Sequence, residues 1–279
     1  MITTRFAPSP TGRLHLGHAY SALLGRQHGR RWLLRIEDLD PGRARPEFVA
    51  GIMEDLAWLG LAPDDAPIVQ SQRTHLYAAA LDRLKSQGLV YPCFCTRADI
   101  AASLTAPHGD AGSAYAGTCR GLPDDPARRA SMPHSWRLDS AKAIAVAGGV
   151  PGWTERDGRA FAGIPEMIGD AILARKDAPS SYHLACVIDD ADSGVTLVVR
   201  GADLRPSTPI QRLLQRLLDL PEPTYLHHPL VTHEDGRRLA KRDQAPTLAA
   251  MREAGADGRA LARQLSTDVL PTGYRLATS

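Results

Sequence analysis

A short apolar strand that runs through a Pro/Gly turn into two histidines at the mouth of a helix leaves few folds open to this chain. The segment is RFAPSPTGRLHLGHA, residues 5–19. His15 and His18 are separated by Leu16 and Gly17, and a glycine lets a flat base or a phosphate approach the backbone closely. The helix expected over residues 17–28 adds free N–H groups and a partial positive charge at its start, which favour an anion. The layout is that of a nucleotide site. Two histidines on a turn would carry little weight alone; the preceding RFAPSPTG makes the pattern long and specific.

The rest of the chain reads as an α/β core interrupted once. Residues 2–7 and 32–36 are expected as buried strands around the first helix, a βαβ unit whose ligands sit at the carboxyl ends of the strands. Residues 46–59 have helical spacing, with Pro46 at the start, Phe48, Ile52, Leu56 and Leu59 inward, and Gly60 as the stop. A further helix is expected from Thr74, read as its N-cap, to Gly88. From Pro92 the texture changes to cysteines and Gly/Pro/Ser-rich turns, which marks an inserted module. The core resumes near Tyr182, with a helix over 182–190, a strand over 195–199 and an amphipathic helix over 208–218. After Leu220 comes a tail with a basic loop and two short helices.

At 279 residues the chain has room for a core, one insertion and a tail. Its 43% hydrophobic and 23% charged content is that of an ordinary globular protein. No apolar run approaches the ~20 residues needed to span a bilayer, and residues 1–13 lack a signal-peptide core. A cytoplasmic protein is the expectation. A net charge of +2 is too small to establish nucleic-acid binding. Arg26, Arg30 and Arg31, or Arg128 and Arg129, could contact phosphates, but as isolated clusters they read as solvated surface.

The opening segment resembles the ATP-binding signature of the class I aminoacyl-tRNA synthetases, in particular their glutamyl branch. RIEDLD at 35–40 resembles that branch's RIEDTD strand end, SSYHLACVIDD at 180–190 its TYHLANVVDD helix, and VRGAD at 199–203 its IRGEE turn. The family's KMSKS loop has a degenerate counterpart in RRLAKRD, residues 237–243, with Ala240 where serine is usual. Taken alone that run is a solvated charged face. Only four lysines occur in the chain, and Lys241 falls where the family places its catalytic lysine.

The resemblance implies a class I, Rossmann-type parallel sheet with an inserted zinc-bearing module and a short helical tail. Residues 1–91 and 181–220 would form the catalytic domain, 92–180 the insertion, and 221–279 the Lys241 loop and tail. It implies that His15, Gly17, His18 and Lys241 bind ATP, with His15, His18 and Lys241 stabilising charge during catalysis. Arg5 and Arg200 would fork onto a glutamate carboxylate, for which a planar guanidinium suits better than lysine. Glu37 would hold the ammonium, Tyr182 would add a hydroxyl, and Ala7 and Ser9 would close the pocket. His183, His227 and His228 read as pocket or packing residues without an assigned role.

Four cysteines in a cytosolic chain argue for thiols or metal before disulfides. Cys93-Phe94-Cys95 places two thiolates together and Cys119 returns after a loop, while Cys186 reads as a small buried apolar residue. A closed tetrahedral zinc site needs a fourth ligand. One group of the glutamyl branch uses C-x-C followed by Y-x-x-x-C, and Tyr115 with Cys119 fits that spacing; His108 or a water are the other candidates.

Members of the glutamyl branch continue into a large helical region that reads the anticodon, whereas this chain reaches Ser279, so no anticodon-binding domain is expected. The shortened form together with the C-x-C, Y-x-x-x-C pattern closely resembles the glutamyl-queuosine tRNA(Asp) synthetases. That resemblance implies ATP with Mg²⁺, L-glutamate and queuosine-bearing tRNA(Asp) as partners, structural Zn²⁺, and no DNA or membrane partner. A monomer is the expectation. Two other readings stay open: a minimal glutamyl-tRNA synthetase charging a tRNA 3′ end, and a synthetase-like RNA-binding module without chemistry.

Overall fold

Strand β1 (Thr3–Phe6) opens the chain, and helix α1 (Leu16–His28) returns it to β2 (Arg31–Ile36), which pairs parallel with β1 in the register Thr3↔Arg31 to Phe6↔Leu34. These elements come from a computed structural model, which describes residues 1–96, 98–99, 115, 117–165, 168–239 and 246–277. Helix α2 (Pro46–Leu59) follows, and β3 (Ile68–Val69) adds to β2, again parallel. Pro46 sits at the start of α2, and Gly60 ends it with a left-handed φ of 78°, a conformation glycine adopts without steric cost. Ile52, Leu56 and Leu59 are buried as the spacing predicted; Phe48 is half-buried, and Val49 packs on the core.

Helix α3 (Thr74–Ser86) departs from expectation at its first residue. A 3-10 turn over Gln70–Gln72 delivers the chain so that Arg73 is the N-cap, and Thr74 is already helical. Beyond it, β4 (Val90–Cys93), β5 (Ser135–Leu138) and β8 (Ile172–Ala174) form an antiparallel sheet with β5 in the centre. Pro92 lies on an edge strand of that sheet, where a missing N–H is tolerated. Between these strands lie α4 (Pro126–Ser131), α5 (Ser140–Ala147) and the hairpin of β6 (Trp153–Thr154) with β7 (Ala160–Phe161).

The parallel layer resumes after α6 (Tyr182–Asp192) with β9 (Leu197–Gly201), α7 (Thr208–Leu217) and β10 (Thr224–His228). Val195 was expected in the strand, but its N–H caps the Asp190 carbonyl at 2.8 Å, so strand pairing starts at Leu197. β10 pairs parallel with β9 and carries the layer beyond Leu220. The Thr196 N–H donates to the Thr3 carbonyl at 3.0 Å and Arg5 donates to the Val199 carbonyl, which docks β9 beside β1. From β1 the chain steps outward to β2 on one side, and from β9 to β10 on the other. A crevice opens at such a switch point beyond the strands' carboxyl ends.

Two main cores hold this arrangement. One joins Phe6, Leu16, Trp32, Ile36 and Leu56 to Leu248 and Leu265 of the C-terminal helices α8 (Leu248–Glu253) and α9 (Gly258–Leu265). The other joins Leu84, Leu138, Leu173, Leu184 and Leu213, tying the antiparallel sheet to α6 and α7. Each fully buried leucine is worth about 1.5–3 kcal/mol relative to an exposed one. The Leu248 N–H donates to the Leu14 carbonyl at 2.9 Å, so the tail is anchored one residue before His15. β11 (Val231–His233) and β12 (Tyr274–Leu276) pair antiparallel and complete the structure. Among the described residues no helix is long and apolar enough to cross a membrane.

Candidate active site

A cavity of about 730 Å³ occupies the crevice, and it brings Arg5, Ala7, Ser9, His15, Gly17, His18, Glu37, Tyr182 and Arg200 to one wall system. Nine sequence-selected residues from four separate segments therefore meet. Lys241 and His108 lie outside the described residues; Arg238 and Leu239, a few positions before Lys241, line the cavity.

At the entrance to α1 the two histidines cap their own helix. The Gly17 N–H donates to His15 Nδ1 at 3.2 Å and the His15 N–H donates to His18 Nδ1 at 3.1 Å. A ring nitrogen that accepts a backbone N–H has no proton, so in the neutral form the proton sits on Nε2 of both rings. The rings stack with centroids 3.8 Å apart. A Cβ on Gly17 would stand 3.2 Å from the His15 ring, tighter than ordinary contact, which explains the glycine between them. No acidic residue occupies the first turn of α1, so nothing there repels an anion.

The opposite end of the cavity is organised by buried charge. Asp190 accepts from Arg5 Nε at 3.0 Å and from Arg35 Nη1 at 2.5 Å, and these two guanidiniums hold its carboxyl down at about 2 against the pull of burial. Arg35 also donates to Glu37 at 3.1 Å. Burial raises the Glu37 carboxyl, and Arg35 opposes that rise. Arg5 thus lines the cavity while spending Nε and Nη1 on Asp190 and Val199.

Arg200 is different. It is 3% exposed and donates to His227 Nε2 at 3.1 Å, Gln211 at 2.7 Å, Thr208 at 2.8 Å and, more weakly, the Tyr182 hydroxyl at 3.4 Å. Among the described residues all of these partners are uncharged and no carboxylate forms an ion pair with Arg200. A buried cation surrounded by neutral acceptors is set up for an anionic ligand. Of the unassigned histidines, His227 is buried behind Arg200, His228 lines the cavity against Tyr20, and His183 lines a neighbouring cavity.

At the end of β4, the sulfur atoms of Cys93, Cys95 and Cys119 lie within 4.8 Å of one another. The Tyr115 hydroxyl is 3.4 Å from Cys93 Sγ and 3.6 Å from Cys95 Sγ, and Cys95 Sγ is 3.5 Å from Cys119 Sγ. Ligands 2.3 Å from a tetrahedral zinc would be about 3.8 Å apart, so the four donors fit such an ion. Cys186 is buried apart from them, as expected, but its surroundings are not apolar: its thiol donates to Asp190 and accepts from Arg35, both at 3.6 Å, within the buried charge cluster. Arg137 stacks 3.9 Å over the Tyr115 ring, and Arg120 pairs with buried Asp170 at 2.7 Å, tying the cluster to the antiparallel sheet.

Sequence reasoning assigned no role to Asp190, Arg35, Gln211, Thr208 or Glu155. Asp190 and Arg35 sit inside segments quoted for their resemblance, so the signal for them was present. Glu155 had none: it reaches His227 across 72 positions of chain.

The model of the family described as tRNA synthetases class I (E and Q), catalytic domain, matches residues 1–267. A protein of Rhodobacter capsulatus named Glutamyl-Q tRNA(Asp) synthetase is 44% identical over 272 residues, covering 91% of this chain and 96% of that one. A Nocardia farcinica protein of the same name is 47% identical over 255 residues, covering 90% of this chain and 79% of its own. Among solved structures, the glutamate-tRNA synthetase of Elizabethkingia anophelis superposes with a TM-score of 0.76 at 26% identity. That match takes in 95% of this chain, which spans 61% of the length of that synthetase.

Proposed function

The chain belongs to the class I tRNA synthetases of the E and Q type and, within them, to the glutamyl-Q tRNA(Asp) synthetases; from that premise we propose that it activates L-glutamate with ATP and transfers it to a hydroxyl of the queuosine cyclopentenediol in the anticodon loop of tRNA(Asp). The observation that carries the reading is Arg200, a buried guanidinium without an acidic partner among the described residues, in the same cavity as the His15/His18 helix entrance.

In the first step the glutamate side-chain carboxylate pairs with Arg200, supported by Tyr182 and Arg5, while Glu37 takes the α-ammonium and Ala7 and Ser9 close the pocket. The α-carboxylate attacks the α-phosphate of ATP, giving glutamyl-adenylate and pyrophosphate. His15 and His18, as Nε2–H donors, and Lys241 stabilise the charge that moves onto the leaving pyrophosphate, with the α1 N-terminus and Gly17 admitting the nucleotide. Mg²⁺ accompanying ATP supplies neutralisation of phosphate charge when bound. No side-chain nucleophile is required, so catalysis here is orientation and electrostatics. In the second step the acceptor hydroxyl attacks the activated carbonyl and AMP leaves.

Residues 1–91 and 181–220 form the catalytic part on this reading, joined by β10, which pairs with β9 and belongs to the same layer; 92–180 form the RNA-facing insertion, and the chain after β10 the Lys241 loop and tail. Cys93, Cys95, Cys119 and Tyr115 would hold Zn²⁺, which supplies a tetrahedral clamp on the insertion when bound. A tRNA substrate makes the cytoplasm its place of work.

The test is transfer of labelled glutamate to tRNA from cells that make queuosine and from cells that do not, followed by nuclease digestion to locate the label. Label confined to the anticodon fragment of the queuosine-containing pool is the expected result. Equal label on the 3′ ends of both pools would show a short conventional synthetase, and no label on either would show a chain without this chemistry.

A further inference from the structure

Next to the main cavity lies a second one of about 480 Å³, and the two share Ser9, Glu37 and Tyr182 as a common wall. On the reading above, glutamyl-adenylate occupies the first cavity. An acceptor held in the second cavity would present its hydroxyl across that shared wall. The second cavity has volume for an acceptor ring on the far side of that wall, and its lining includes His183, an imidazole with no role so far.

His183 follows Tyr182 in the first turn of α6, whose N-cap Ser181 accepts the Leu184 N–H. The helix thus carries one residue, Tyr182, on the wall between the cavities and the next, His183, on the wall of the second. His183 Nδ1 is buried and has no hydrogen-bond partner among the described residues. A buried imidazole nitrogen left without a partner costs stability unless a ligand completes it. Burial and the charge of Arg200 push the ring down to about 4, so it is neutral at physiological pH and keeps an acceptor lone pair.

We propose that His183 is a catalytic residue of the transfer step, accepting the hydrogen bond of the acceptor hydroxyl and aiming its oxygen at the glutamyl carbonyl carbon. This rests on the synthetase reading above. As the hydroxyl oxygen bonds to the carbonyl carbon, the bond from that carbon to the phosphate oxygen breaks, and its electron pair leaves on AMP. The hydroxyl proton passes to the His183 imidazole and from there to solvent. The hydroxyl becomes strongly acidic as its oxygen bonds to the carbonyl carbon, so a neutral imidazole can take the proton, and losing it to solvent returns the ring to the accepting form.

The experiment separates the two steps. Enzyme carrying preformed glutamyl-adenylate is mixed with queuosine-containing tRNA and single-turnover transfer is timed, alongside glutamate-dependent exchange of pyrophosphate into ATP. In His183→Ala, transfer should fall on the order of 10²-fold while exchange changes by no more than about twofold. Free imidazole in the buffer should restore part of the lost transfer rate, a rescue that repair of a structural defect would not give. Exchange intact with transfer unchanged in His183→Ala overturns the proposal alone, as does a loss of transfer that imidazole leaves untouched. Absence of exchange by the unsubstituted chain overturns the synthetase reading, and this proposal with it.

Discussion

His227 Nδ1 lies 2.6 Å from Glu155 Oε1, and its other ring nitrogen, Nε2, accepts from Arg200 Nε at 3.1 Å. Arginine can only donate, so Nε2 must carry the lone pair and Nδ1 the proton. Glu155 therefore fixes the tautomer that holds Arg200, and it takes the His227 backbone N–H as well at 3.1 Å. In Glu155→Gln the amide can offer His227 either a donor or an acceptor, and the orientation of Arg200 is no longer enforced. The KM for glutamate in pyrophosphate exchange should rise about tenfold, with kcat changed by no more than about twofold. A rise confined to the KM for ATP would count against this chain of contacts.

Lys241 and Arg200 should fail in different parameters. Lys241→Ala removes a cation proposed to meet charge that develops only as pyrophosphate leaves, so kcat for exchange should drop on the order of 10²-fold at nearly constant KM for glutamate. Arg200→Ala removes a contact made to the ground-state substrate and should raise that KM by on the order of 10-fold to 10²-fold. Steady-state exchange kinetics over a glutamate series separates them. The same parameter moving by the same factor in both variants would refute the division of roles.

What could be read from the sequence was coded locally. Helix α2 runs from Pro46 to Leu59 as its spacing predicted, because its start is fixed by a proline and its end by a glycine at positive φ. The His15/His18 turn is likewise a matter of adjacent residues. The Cys93/Cys95 and Tyr115/Cys119 pairs were each legible by spacing, and their meeting by family pattern. Illegible were contacts whose meaning arises only across the fold. Asp190 neutralises Arg5, 185 positions away, and Arg35, 155 positions away, and no local pattern says that one carboxylate will serve both. β10 escaped notice because His227 and His228 interrupt its apolar run, although both are buried, one held by Glu155 and the other against Tyr20.

Metal content gives a further check on the insertion. Cys95 contacts both Tyr115 and Cys119 in the cluster, so Cys95→Ser should leave purified protein with little zinc by elemental analysis. Tyr115→Phe keeps the three thiols and the ring under Arg137, and it should weaken retention against a chelator while leaving the protein folded. Zinc content unchanged in Cys95→Ser would end the assignment.

Acid should weaken this protein well above the carboxylate range. His183 and His227 are both pushed down to about 4, the first by burial and Arg200, the second by burial and Arg200 against the opposing pull of Glu155. In the unfolded chain histidine titrates near about 6.5. Between those values the unfolded state binds protons that the folded state refuses, so stability falls as pH drops from about 6.5 toward 4 and is unaffected by these groups above that window. The slope is up to about 1.4 kcal/mol per pH unit for each histidine. Asp190 acts lower: held at about 2 by Arg5 and Arg35, it contributes stability above the ordinary aspartate range that is lost only as pH falls from there toward 2. Urea midpoints measured at pH 7, 5.5 and 4.5 should therefore fall steadily, and His183→Ala should flatten the slope by about one proton's worth. A midpoint constant from pH 7 to 4.5 would mean that neither imidazole is held neutral by the fold.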